Sequence, residues 1–442
     1  MYPGTYADAT PDKAAVVVAE TGRVVTYGEL DERSTRLADV FRQQGLGPGD
    51  HVAFVADNTP EVFEVYWAAL RSGLYVTGVN HHLTPAEAAY VVGDCGATVL
   101  LASAGVATLA RDTARLCPDV GRRLAWGGPV EGFDDYEAAL ATGSPERPAV
   151  QPSGADMLYS SGTTGRPKGV LPNLPAHRID EPGDVFTAVF GPLYGFDADT
   201  VYYSAAPLYH AAPLRFGGMQ HRSGGTVVMA ARFDAETALG HIERYGITLI
   251  GPQEWLAHPG SVGRAALGVL HVCDEEGQEL PVGEVGTIWV ERDRMPFAYH
   301  GDPEKTAAAQ HPDHPTWSAI GDVGRVDDEG YLYLTDRKAF MIISGGVNVY
   351  PQEAEDVLIM HPAVADVAVI GIPDDDLGEA VLGVVQPVEG VEPSADLAAD
   401  LIGFARERLA GYKVPRRIEF QAELPRSATG KLVKRRLTDV YR

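Results

Sequence analysis

From Tyr159 to Gly169 the chain reads Tyr-Ser-Ser-Gly-Thr-Thr-Gly-Arg-Pro-Lys-Gly, a run that gathers hydroxyls, glycines and one lysine into a single loop. Such a loop can turn backbone N–H groups around Gly162 and Gly165, and the hydroxyls of Ser161, Thr163 and Thr164, toward one anion, while Lys168 adds a full positive charge. The chemistry this suits is polyphosphate binding. The loop departs from the common phosphate loop, in which glycine and lysine are adjacent and followed by Ser or Thr, because Arg166 and Pro167 separate Gly165 from Lys168. Ser, Thr and Gly clusters also form ordinary surface turns. Against that stands the scarcity of lysine, which occurs only at 13, 168, 305, 338, 413, 431 and 434.

The elements that must position this loop follow from the apolar pattern. Met157-Leu158-Tyr159 reads as the end of a buried strand, so the loop is expected to emerge from a sheet edge. Upstream, Ala15–Val18 and Val52–Val55 read as strands. Thr26-Tyr27-Gly28-Glu29-Leu30 opens a helix carrying Leu37, Val40 and Phe41 at helical spacing, and Glu61–Leu70 is a helix apolar around much of its circumference. Downstream, Thr226–Met229 reads as a strand and Ala235–Tyr245 as a helix. Near Asp336 a new section starts with the order strand, helix, strand, strand, helix, in which Gln352–Met360 and Leu397–Leu409 are helices and Val364–Ile370 and Ala380–Val385 strands. The expected fold class is α/β, with a large N-terminal domain over residues 1–336 and a small α+β domain over 337–442.

A chain of 442 residues exceeds what one hydrophobic core usually organises. A hydrophobic fraction of 45% with well-mixed charges describes a globular protein rather than a disordered one. The formal charge of -25 argues against a general nucleic-acid or anionic-membrane binder, so anionic substrates need a local basic site. Cys95, Cys117 and Cys273 are widely spaced and form no metal-ligand pattern, which points to a reducing compartment. No leader-like pattern opens the chain and no apolar run approaches the roughly 18 residues a spanning helix needs. The expectation is a cytoplasmic protein without an integral membrane segment, with a homodimer as the default assembly.

The phosphate loop resembles that of the adenylate-forming superfamily, which comprises acyl-CoA synthetases, luciferases and peptide-synthetase adenylation domains; bacterial acyl-CoA synthetases are the nearest type. Further segments match in order. Ala206-Pro207-Leu208-Tyr209-His210 looks like the substrate-gating motif, and Gly321-Asp322-Val323-Gly324 like the ribose-binding motif. Thr335-Asp336-Arg337-Lys338 with Ser344-Gly345-Gly346 looks like the interdomain hinge. Pro425 to Lys431 looks like the catalytic C-terminal loop.

The resemblance implies stacked mixed sheets and helices in the large domain and a mobile small domain that rotates between two half-reactions. A carboxylate attacks the α-phosphate of ATP, releasing pyrophosphate, and a thiol, that of CoA, then displaces AMP. A carboxylate approaching a triphosphate meets like-charge repulsion, so cations and aligned donors are required. Lys431 is the expected mobile cation, in a tail from Tyr412 to Arg442 with nine Lys or Arg against three acidic residues. Lys168 would neutralise the departing pyrophosphate, Asp322 and Arg337 would hold the ribose, and His210 would line and gate the acyl pocket. Gly345 and Gly346 would leave a channel for the pantetheine arm of CoA. Magnesium is the expected companion of ATP. Its ligand stays open, and so does the acid. His81, His82 and His311 to His314 lack convincing ligand spacing.

The pattern breaks in one place. The family carries a long segment between the region of His241–Tyr245 and that of Trp255–Gly263, including a Thr-Glu pair whose glutamate binds magnesium; here a central segment near 245–255 is missing. Either the sequence joins two pieces not adjacent in the full protein, or the gene carries a true deletion. The first is favoured because losing central strands would expose sheet edges. An intact mass near 47.2 kDa would mark deletion. The functional expectation is an ATP-dependent carboxylic acid–CoA ligase; the alternatives are an adenylation enzyme loading a carrier protein and a nucleotide-binding pseudoenzyme.

Overall fold

The computed structural model describes residues 2–160, 167–248, 257–274, 276–337, 340–345, 347–426 and 432–441, with the backbone alone at Ser160, Asp336, Arg337 and Asn348. The chain divides into two compact units, Met1–Gly251 with Pro296–Thr306, and Pro252–Met295 with Ala307–Arg442.

The first unit holds strands β1 (Ala14–Val18), β2 (Val24–Thr26), β3 (His51–Val55), β4 (Tyr75–Val79), β5 (Val99–Ser103), β6 (Arg122–Trp126), β7 (Asp134–Asp135), β8 (Ala155–Asp156), β9 (Leu158–Ser160), β10 (Lys168–Pro172), β11 (Val201–Ser204) and β12 (Thr226–Met229). A parallel six-stranded sheet has the order β7-β6-β5-β3-β4-β8. Its central strands are continuously apolar because both faces are covered. Val52, Phe54, Val99 and Leu101 enter one core cluster, whereas Ala53, Val55, Leu100 and Ala102 enter another. That alternation is the two-residue period of a strand feeding two separate cores. A second sheet has the order β11-β12-β1-β2, parallel except for β2.

Helix α1 (Tyr27–Gln43) starts where Thr26 and Glu29 exchange hydrogen bonds in a capping box. In α2 (Glu61–Arg71) every residue is buried, as its all-round apolar pattern requires. Buried Glu64 is satisfied by the Arg33 guanidinium at 2.7 Å and by the Tyr136 hydroxyl, which donates at 2.8 Å. Without both partners a carboxylate there would be strongly destabilising. The unit also holds α3 (Val185–Tyr194), α4 (Ala211–Ser223) and α5 (Ala235–Tyr245). His221 of α4 is fully buried. Trp67 donates its indole N–H to His221 Nδ1 at 3.0 Å, so the imidazole proton sits on Nε2, 3.3 Å from the Ala15 carbonyl. Burial pushes this imidazole down to about 3.

The second unit holds β13 (Val269–Cys273) and β14 (Gly286–Glu291). The next strand, β15 (Phe297–Tyr299), belongs to the first unit, where it pairs with β10 in the antiparallel order β15-β10-β9. Then come β16 (Trp317–Ser318), β17 (Asp322–Val326) and β18 (Leu332–Arg337), giving an antiparallel sheet β13-β14-β17-β18 with β16 on β14. The terminal portion runs β19 (Ile342–Ser344), β20 (Val347–Val349), α6 (Pro351–Leu358), β21 (Val364–Asp374), β22 (Gly378–Pro387), α7 (Ala395–Arg406), β23 (Arg417–Phe420) and α8 (Lys434–Tyr441). Alternate residues again feed two cores. Val367, Val369, Val381 and Val385 join α6 and α7, and Ala368, Ile370, Leu382 and Val384 join Leu437 of α8.

Candidate functional site

The phosphate-loop sequence spans the gap between two antiparallel strands, with Ser160 of β9 in register with Lys168 of β10. The expected strand end is thus two short strands. β8 forms the edge of the six-stranded sheet, and β9 then pairs with β10 instead. Gly154 permits the approach to β8, since a Cβ there would lie 2.2 Å from the Leu74 carbonyl oxygen. Ser161, Gly162, Thr163, Thr164 and Gly165 lie outside the described residues.

Lys168, at the foot of the hairpin, forms an ion pair with Asp302, which follows β15. The Asp302 carboxylate also accepts the Lys305 backbone N–H at 2.9 Å. The Lys168 ammonium first, and that N–H second, hold the Asp302 carboxyl below the ordinary carboxylate range. Burial and the neighbouring Lys168 charge push the Lys305 ammonium down. Two of the few lysines therefore gather around one carboxylate.

The gate motif leaves β11 and ends at His210, the N-cap residue of α4. It is seated by contacts that the motif itself does not reveal. Asn58 Nδ2 donates to the carbonyls of Ala206 at 3.1 Å and Ala230 at 3.0 Å, and its Oδ1 accepts the Leu208 N–H at 2.9 Å. Tyr209 lies against Gly78 of β4, where a Cβ would come within 2.8 Å of the Tyr209 Cα. Burial pushes the Tyr209 phenol up to about 12. Its ring packs on His210 at 4.4 Å between centroids and edge-on against His81 at 5.2 Å. His81 is thus an aromatic packing partner of the gate.

In the second unit Asp322 opens β17 and is the direct register partner of Arg337 on β18. Gly321 reaches the strand through φ +87°, a conformation natural to glycine. Gly324 lets β18 pass, because a Cβ there would sit 2.4 Å from the Tyr333 carbonyl oxygen. Gly345 turns between β19 and β20 at φ +58°, its N–H donating to the Leu377 carbonyl at 2.9 Å. Gly346 and Lys431 lie outside the described residues, as does the Arg337 side chain. Among the described residues, no group of three or more His, Cys, Asp or Glu could hold a metal ion, and no helix is long and apolar enough to cross a membrane.

Sequence reasoning passed over Asn58, Asp302, Gly78 and Arg215. The signals were present in the Asp57-Asn58-Thr59-Pro60 turn after β3, and in an arginine inside an otherwise apolar helix start, Ala211–Phe216.

A parallel α/β sheet followed by the β9–β10 pair that brackets the hydroxyl- and glycine-rich sequence, with positions 322 and 337 in register on a separate antiparallel sheet, fits an adenylate-forming architecture. The chain belongs to the family of AMP-binding enzymes: residues 5–252 match that family, and residues 353–431 match its C-terminal domain. It is similar to a feruloyl-CoA synthase of Amycolatopsis sp, 30% identical over 95% of this chain and 94% of that protein. It is also similar to the long-chain-fatty-acid–CoA ligase FadD13 of Mycobacterium tuberculosis, 28% identical over 98% of this chain and 97% of that one. Among solved structures, ATP-bound MatB from Rhodopseudomonas palustris superposes with a TM-score of 0.82 at 27% identity, covering 100% of this chain and 99% of that one. The expected class, an AMP-forming acid–thiol ligase acting with ATP and CoA, is borne out by these likenesses. The alignment with the feruloyl-CoA synthase runs over 498 positions, more than the 442 residues of this chain. The relative therefore carries positions that this chain lacks, and the family match ends at 252.

Proposed function

We propose that the two half-reactions run on the residues singled out above. In the first, a carboxylate oxygen of the acid forms a bond to the α-phosphorus of ATP while the bond to the bridging oxygen of pyrophosphate breaks. Ser161, Thr163, Thr164 and the amides around Gly162 and Gly165 cradle the β- and γ-phosphates, and Lys168 neutralises the leaving pyrophosphate. Asp322 accepts the ribose hydroxyls, and Arg337 donates to the ribose or the α-phosphate. Lys431 is the mobile cation on the reacting phosphate. In the second step the CoA sulfur bonds to the acyl carbon and the bond to AMP breaks, with Gly345 and Gly346 passing the pantetheine arm and His210 lining the acyl side.

The carrying observation is Lys168 at the mouth of the loop, held by a carboxylate that an incoming polyphosphate can replace. The lid is assigned to residues 337–442, pivoting after Arg337, against a body of residues 1–336. Magnesium would arrive with the triphosphate, since it keeps most of its ligands as water and phosphate oxygen. The protein is read as cytoplasmic and homodimeric.

Acid-dependent AMP release with CoA present, and detection of the acyl-CoA by mass, tests the reading. Release that depends on a carrier protein and ignores CoA would move the acceptor to a carrier. ATP binding without turnover of any acid would leave the pseudoenzyme.

A further inference from the structure

Helix α3 has the sequence Val-Phe-Thr-Ala-Val-Phe-Gly-Pro-Leu-Tyr, without a charged residue, yet Gly191 is its one buried position. A helix apolar on all sides belongs in an interior, and an exposed surface of this composition marks a binding site. Phe186, Phe190 and Tyr194 stand at successive i, i+4 positions with nearly parallel rings, 5.9 and 6.0 Å between centroids and 17° and 9° between planes. Phe216 of α4 meets Phe190 at 6.0 Å and Tyr194 at 5.9 Å. Tyr202 of β11 stacks on Phe216 at 6.2 Å and 20°. The result is an aromatic wall.

Arg215 stands at the edge of that wall, its guanidinium over the Phe186 ring at 5.1 Å. Nε and Nη2 pair with the Asp156 carboxylate at 2.9 and 2.7 Å. Asp156 is buried, whereas the Arg215 side chain is 31% exposed. Among the described residues Nη1 has no hydrogen bond. Asp156 is in β8, immediately upstream of the strand that enters the phosphate loop.

Resting on the ligase reading, we propose that this wall seats the hydrocarbon part of the acid, and that the acid is aromatic with a ring hydroxyl or alkoxy oxygen that accepts from Arg215 Nη1. A planar ring stacks without the rotamer entropy a long alkyl chain loses on binding. Bidentate pairing fixes the guanidinium fork beforehand, so little further ordering is needed. Asp156 already neutralises the arginine, which favours a neutral acceptor over a second carboxylate on the acid. A site built to hydrogen-bond a substrate oxygen rejects the analogue lacking it, because the donor is left unpaired.

The experiment is acid-dependent ATP–pyrophosphate exchange on the full chain with 4-hydroxycinnamate, 4-methoxycinnamate, unsubstituted cinnamate and octanoate, beside ligand-observed NMR of the same acids. The oxygenated rings should exceed unsubstituted cinnamate by about tenfold or more in kcat/KM. That ratio should fall toward one in an Asp156→Leu/Arg215→Met double variant, which leaves no buried charge unpaired. Phe190→Ala, on an exposed helix, should raise KM for the cinnamates several-fold more than KM for ATP. A preference for octanoate, or a cinnamate ratio and KM untouched by both variants, overturns the inference while leaving the ligase reading intact. No exchange with any acid fails the ligase reading instead. The NMR arm then still decides: cinnamate binding lost in Phe190→Ala supports the seat, and absence of binding rejects it.

Discussion

Lys168 and Asp302 show how a single pair can be read for both stability and catalysis. Asp302 has a lowered carboxyl, so whatever the pair contributes is present above the ordinary carboxylate range near 3.8 and is lost as pH falls through the lower folded value. At the protein surface, solvent screening keeps the contribution of such a pair small. Asp302→Asn is therefore expected to lower KM for ATP by no more than about fivefold, as a competing anion is removed. Lys168→Ala is expected to cost roughly 10²–10³-fold in kcat for pyrophosphate exchange, the usual loss for one preorganised charge-stabilising donor. His221 supplies a sharper pH signature. Its folded value, near 3 against an ordinary 6.5, means the unfolded chain takes up the proton first. Stability is thus fully present above 6.5 and declines as pH falls, by up to about 1.4 kcal/mol per unit. Urea unfolding at pH 5, 6 and 7 should show this slope in the wild type and a shallower one in His221→Asn; equal slopes would contradict the buried neutral tautomer.

Among the elements, strands with strong alternation and helices with clear caps were legible in the sequence. The helix opening at Thr26 and the buried helix from Glu61 follow directly from a capping box and from an unbroken apolar circumference. Two features escaped. Helix α3 received no assignment from the sequence, since Gly191 and Pro192 lie within it and Gly183 and Gly195 flank it, residue types that commonly punctuate loops, although Asp184 caps its start by accepting the Thr187 N–H. The seating of the gate by Asn58 and Gly78 depends on contacts between strands distant in sequence, to which periodicity is blind. Asp322 and Arg337 were legible as parts of two motifs, but their cross-strand register emerges only from the β17–β18 hairpin. Gly324→Ala tests that hairpin. A Cβ driven into the Tyr333 carbonyl must separate β17 from β18, at a cost of about 1–3 kcal/mol. KM for ATP should rise while cinnamate binding stays within twofold of wild type, about 0.4 kcal/mol. An unchanged KM for ATP would argue that Asp322 does not hold the nucleotide.

At the scale of the whole molecule, the two compact units have separate hydrophobic cores. Calorimetric unfolding should therefore resolve two transitions, as multidomain chains commonly do; one two-state transition would contradict independent cores. The charge of -25 sets a repulsive background for ATP, CoA and an organic acid, so local cations must gather them. Composition revealed that need, and Lys168 and Lys431 are the cations proposed to meet it. The acid was not legible, because specificity is set by cavity walls from several elements at the level of single groups.

Acid-dependent exchange of pyrophosphate into ATP, measured on the full chain without CoA, tests the central claim most directly. The account predicts exchange that requires both acid and ATP, falls by two to three orders of magnitude in Lys168→Ala, and gives way to AMP release once CoA is added. Exchange absent with every acid offered, in protein that still binds ATP, would contradict it.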